Sequence, residues 1–105
     1  MSSKDRQVSR KLAEAVKERD KYCINCGSPY NLDVAHYIGK GRGGLGIKEN
    51  LALLCRTCHH AFDNGNNDEQ YKVIKERFRY HLECLYPTTT DAERTQQNKW
   101  DIKER

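Results

Sequence analysis

No stretch of this 105-residue chain comes near the roughly 20 consecutive apolar residues that a membrane-spanning helix needs. Its opening, MSSKDRQVSRK, also lacks the apolar run of a secretory signal. These two absences make a cytoplasmic protein the default, with no membrane partner expected. Apolar side chains are scarce as well: 36% hydrophobic residues against 32% charged leave material for only a thin core in one small domain. A core that thin calls for a staple, either a metal or disulfides. In the cytosol, paired cysteines serve metals more often than disulfides. Internal repeats are absent. The run GKGRGG lacks the Gly-Lys-Ser/Thr ending of a P-loop, which excludes nucleotide binding through that motif. No separate base-reading helix stands out, so sequence preference is not legible.

What is present is unevenly distributed. Net charge is +4, but residues 1–21 hold seven basic residues against four acidic ones. From Val34 to His60 there are Lys40, Arg42, Lys48 and Arg56, three histidines, and Glu49 as the one acid. From residue 61 onward the balance is eight basic to nine acidic. The positive field lies on the first 60 residues and favours a polyanionic partner such as nucleic acid, although a modestly basic face is often only a solvated one.

Periodicity divides the chain. Val8, Leu12, Ala15 and Val16 form one stripe, predicting a helix over 5–21. CINCGSPYN reads as a turn-rich knuckle, LDVAHYI as a short strand, and GKGRGGLG as irregular loop. Asn50 to Leu54 is a short apolar run. A brief helix starts at Thr57 or Cys58 and stops near Asn64, with Gly65 as its C-terminal cap. A longer helix spans 67–86, with Asn67 and Gln70 resembling a capping box and Pro87 closing it. Its stripe of Tyr71, Ile74, Phe78, Leu82 and Leu85 should pack on the rest. The tail over 87–105, with Trp100, reads as loosely held.

Two Cys-x2-Cys pairs, Cys23–Cys26 and Cys55–Cys58, are a strong signal for one tetrahedral structural Zn2+ held by four thiolates. Such a closed site is a staple with no chemistry of its own. Cys84 is left over, a lone thiol expected to be partly buried on the long helix. His36, His59, His60 and Asp63 then remain. His59 and Asp63, spaced i, i+4, share a helix face, whereas His60 points about 100° away. Such a pair is also what a plain ion pair looks like, and a lone strand histidine is more often structural.

The order matters more than any one motif: a Cys-x2-Cys knuckle, a strand with one histidine, a glycine-rich basic loop, Asn50, then Cys-x2-Cys-His-x3-Asp. Over VAHYIGKGRGGLGIKENLALLCRTCHHAFDNG and the first knuckle, this resembles the HNH endonuclease family. The flanking helices resemble those of small phage-encoded members. The resemblance implies an α+β fold, a zinc-stapled ββα-metal core of a two-stranded hairpin plus a short helix, flanked by N- and C-terminal helices. It implies one nuclease domain over 1–105, with its core at 20–66.

The three namesake positions fall on His36, Asn50 and His59, and Gly43–Gly44 falls where the family's loop places a double glycine. By resemblance, His36 is the general base. Free imidazole, with a pKa of about 6.5, suits that task. His59 binds the working metal, and Asp63 stands where some members place a further ligand. Mg2+ or Mn2+ suits this pair, with Ni2+ or Zn2+ as alternatives. In the family the Asn50 position often braces the loop that carries the base, and in some branches it ligates the metal. Bracing is the expectation here, since His59 and Asp63 already supply two ligands. Lys40, Arg42 and Lys48 flank the site and are expected to grip phosphates of double-stranded DNA. The products implied are a 5′-phosphate and a 3′-hydroxyl.

One departure stands out. Many members have Asp or His just before the base, where this chain has Ala35. The metal is then held by two residues plus water and phosphate, or Asp33 contributes, and weak affinity or a preference for Mn2+ follows. The competing reading is a non-catalytic zinc module that binds nucleic acid or a protein partner. Phage packaging proteins as partners rest on the resemblance alone, and oligomeric state is not legible.

Overall fold

The computed structural model describes residues 8–64 and 68–95. Its order is helix α1 (Arg10–Asp20), strand β1 (Leu32–His36), strand β2 (Leu51–Cys55), helix α2 (Arg56–Asp63) and helix α3 (Glu69–Leu85). Short 3-10 turns at Lys40–Arg42, Lys48–Asn50 and Ala92–Arg94 shape the connections. The α+β reading holds, with a hairpin and a short helix at its centre.

β1 and β2 pair antiparallel, with Leu32 opposite Cys55 and His36 opposite Leu51. All five residues of β2 are buried. The reason is that the two-stranded sheet is covered on both faces, which turns the usual alternation into a continuous apolar run. On one face Ala35, Ala52 and Leu54 pack with Phe62 of α2 and with Ile74, Phe78 and Leu82 of α3. On the other, Leu51 and Leu53 pack with Val16, and Val8, Leu12 and Val34 border them.

Local chemistry sets the helix ends. Ser9 caps α1, its Oγ accepting from the Leu12 N–H at 3.1 Å, so the helix starts later than its stripe predicts. Residues 5–7 of the expected helix lie outside the described residues. Ala15 is exposed, which narrows the packed stripe to Val8, Leu12 and Val16. Asp68 caps α3 through a 2.8 Å bond from the Tyr71 N–H. The Asn67 cap and the Gly65 stop lie outside the described residues. Leu85, expected in the packed stripe, is exposed. Cys84 is exposed rather than partly buried, one position off that same stripe.

The expected loose tail is held at least to Thr95. Thr95 forms a bridge with Gly44, the Leu45 N–H donates to the Arg94 carbonyl at 2.9 Å, and Arg94 is buried. Trp100 lies outside the described residues. No helix among the described residues is long and apolar enough to cross a membrane.

Candidate active site and zinc centre

The four cysteine sulfurs lie within 4.8 Å of one another. A tetrahedral zinc with bonds of about 2.3 Å holds its sulfurs about 3.8 Å apart, and Cys26 and Cys55 Sγ stand 3.6 Å apart. The first knuckle is turned by backbone bonds from Gly27 N–H to the Cys23 carbonyl and from Cys23 N–H to the Ser28 carbonyl, both 2.9 Å. The second pair straddles the junction of β2 and α2, with Cys55 at the N-cap and Cys58 one turn in.

The sulfurs are not equivalent. Burial opposes ionisation of Cys23, yet the backbone N–H donors of Cys26, Cys55 and Asn25 outweigh it and bring the thiol down to about 7. Burial pushes Cys58 up to about 12, against an Asn25 amide that donates to its Sγ at 3.3 Å. Four converging thiols resist becoming four adjacent thiolates until a cation compensates them. The set fits a structural zinc.

The helix that closes this cluster also presents a second pair. Cys58 and Phe62 face the core, and both are buried. His59 and Asp63 face outward, with His59 Nε2 3.1 Å from Asp63 Oδ2. Two donors on adjacent corners of an octahedral ion with bonds of about 2.1 Å stand about 3 Å apart, so this pair fits one edge of a divalent cation site. The four cysteines are the one cluster of three or more converging metal-ligand side chains among the described residues.

His36, at the end of β1, meets the pair in a cavity of about 740 Å³ lined also by Val8, Val34, Gly39 and Lys40. A smaller cavity of about 150 Å³ shares His36, Gly39 and Asp63 and adds Arg42 and Tyr71. His36, His59, Asp63, Lys40 and Arg42 thus surround one cleft. Lys48 does not join them: its Nζ lies 5.7 Å from the Tyr86 ring centroid, a ring the Arg19 guanidinium also faces. His60 is exposed and pairs with Asn64 through Nδ1 at 3.1 Å.

Asn50 is fully buried between the strands. Its Oδ1 accepts from the Ile38 N–H at 2.9 Å, and its Nδ2 donates to the Ile38 and Leu45 carbonyls at 3.1 and 2.9 Å. One amide thus ties both ends of the basic loop just after His36. The double glycine answers to the same loop. Gly43 takes φ 85°, which closes the 3-10 turn. A Cβ on Gly44 would overlap the Ile38 carbonyl.

Ala35, where a further ligand would stand, is fully buried against the α2–α3 face. Asp33 sits beside His59 on the other ring nitrogen, Oδ2 to Nδ1 at 3.1 Å, with Arg56 3.6 Å from its Oδ1. Residue spacing gave no sign of this contact, because it joins residues 26 positions apart. A separate groove of about 680 Å³, lined by Ile24, Val73, Tyr80 and Cys84, runs along α3 and shares no residue with the cleft.

A hairpin and helix closed by a four-thiol cluster that fits a zinc, with a His–Asp pair facing a basic cleft, define a small α+β domain. Residues 23–65 match the family model described as HNH endonuclease. No curated protein and no solved structure matches the chain.

Proposed function

We propose that the chain is a metal-dependent DNA endonuclease, one nuclease domain over its length, that hydrolyses phosphodiester bonds to 5′-phosphate and 3′-hydroxyl ends. The observation that carries this reading is the convergence of His36, the His59–Asp63 pair and Lys40 on one cavity within the family-matching segment. His36 is the general base, taking a proton from the attacking water in the cleft. His59 and Asp63 hold a divalent cation, Mg2+ or Mn2+, which when bound stabilises charge on the scissile phosphate and the leaving oxygen. Asn50 fixes the backbone that follows His36. Lys40 and Arg42 hold phosphates of double-stranded DNA, contacts that position without reading sequence. A place in phage DNA processing rests on the resemblance of the flanking helices to those of phage-encoded members.

Nicking of supercoiled plasmid with Mg2+ or Mn2+ tests this reading. His36→Ala should lose roughly 10²- to 10⁴-fold of the rate, the usual share of a general base, and EDTA should abolish cleavage. Equal cleavage by wild type and His36→Ala would remove His36 from the role. DNA binding without cleavage under any cation would favour the silent module instead.

A further inference from the structure

We infer that Asp33 is a positioning residue for the working cation, holding His59 by Nδ1 so that Nε2 is presented beside Asp63. The inference rests on the reading of His59 and Asp63 as the cation pair. The imidazole of His59 lies between two carboxylates, Asp33 Oδ2 at 3.1 Å from Nδ1 and Asp63 Oδ2 at 3.1 Å from Nε2. The two ring nitrogens point in divergent directions, so the carboxylates cannot share one ion with this ring in place. Asp63, one helical turn along α2, is on the cleft side and lines both cavities there, whereas Asp33 lines neither. That division gives the two acids different work.

A neutral imidazole carries one N–H and one lone pair. A carboxylate on Nδ1 can only accept, so it fixes the proton there and leaves the Nε2 lone pair for a cation. The same contact stops the ring from turning about its bond to the helix. Asp33 is itself placed by its strand. Its strand register sets it opposite Leu54, next to the Leu32–Cys55 pair that leads into α2. Arg56, the first residue of α2, stands 3.6 Å from its other oxygen. The β-ladder and the thiol cluster therefore both fix the distance from Asp33 to His59.

This arrangement also accounts for a site with few protein ligands. Ala35 gives none, and Asp33 does not replace it, but a carboxylate-backed imidazole is a stronger and better-aimed donor.

The test is Mn2+ binding to zinc-loaded protein, followed by electron paramagnetic resonance, for wild type, Asp33→Ala, Asp33→Asn and His59→Ala. Imidazole ¹⁵N NMR on zinc-loaded, Mn2+-free samples reports the His59 tautomer. Asp33→Ala should weaken Mn2+ roughly 10- to 100-fold, the usual cost of losing such a partner, at unchanged zinc content. It should also lose the Nδ1–H tautomer seen in wild type. Asp33→Asn, whose amide oxygen still accepts from Nδ1–H, should recover most of the affinity. Unchanged Mn2+ affinity in Asp33→Ala overturns the inference while leaving the cation pair standing. An Asp33→Asn as weak as Asp33→Ala, with the tautomer intact, would make Asp33 a direct ligand and overturn it too. If His59→Ala binds Mn2+ like wild type, the cation pair itself falls, and this inference with it.

Discussion

Asn50 concentrates three hydrogen bonds from a fully buried side chain, and each reaches backbone of the loop it braces. Truncation leaves one N–H and two carbonyls stranded. Each stranded group costs about 1–3 kcal/mol, less where the chain relaxes. Asn50→Ala should therefore lose about 2–4 kcal/mol in urea unfolding of the zinc-loaded protein, and plasmid nicking should fall with it. A variant within 0.5 kcal/mol or so of wild type, the range of ordinary surface changes, would show that the brace is not needed. Asn50 was legible as a family position, while its bonds to the Ile38 and Leu45 backbone were not. Asp33 and Arg94 were not legible in their present roles. Their partners are set by strand register and by chain folding back across tens of residues, and neither leaves a periodic trace.

At the scale of elements, the short helix α2 was the most legible, because its two i, i+4 pairs must face apart on any helix: Cys58 with Phe62, and His59 with Asp63. The loop between the strands was less so. Five glycines in eight residues do exclude regular structure at length, yet they say nothing of the Ala92–Arg94 turn that packs over Gly44 and Leu45. The docking of α1 was also hidden. Its stripe is thin, and the helix is secured at its far end by Asp20, whose carboxylate is fully enclosed. Arg19 donates to it at 2.6 and 2.8 Å, His81 Nε2 lies 2.9 Å away, and the Leu53 N–H donates at 3.0 Å. One side chain thus joins α1, β2 and α3. Burial alone would push this carboxyl up, but the guanidinium of Arg19 and the contact with His81 outweigh it and hold it at about 2, against an ordinary 3.8.

A carboxylate depressed on folding stabilises the protein above its unfolded pKa. That contribution, about 2 kcal/mol, is full above pH 4 and disappears as the pH falls toward 2. Asp20→Asn should accordingly be less stable than wild type by about this amount at pH 7, in urea unfolding of the zinc-loaded protein. Equal stability at pH 7 would mean that the triad merely fills space.

Across the whole molecule, the six potential metal ligands of the cysteine quartet and the His59–Asp63 pair divide by direction. Four sulfurs converge where β2, α2 and the first knuckle meet, and they tie that knuckle to a hairpin whose core is too small to stand by itself. His59 and Asp63 face the cleft and tie nothing together beyond their own turn and Asp33. That separation was readable from spacing, since a closed four-thiol site leaves histidine and aspartate without a structural task. It gives an asymmetry that can be measured. Brief EDTA treatment should remove the weakly held cation and stop nicking while helical circular dichroism and one zinc per chain persist, and added Mn2+ should restore the rate. A mercurial that takes the cysteine sulfurs should release that zinc and collapse the helical signal, because zinc binding in such small sites is folding free energy. Mn2+ should then restore neither. If the fold instead survives loss of zinc with its helical signal intact, the apolar clusters on the two sheet faces suffice alone. The cysteines would then need a reason other than stability.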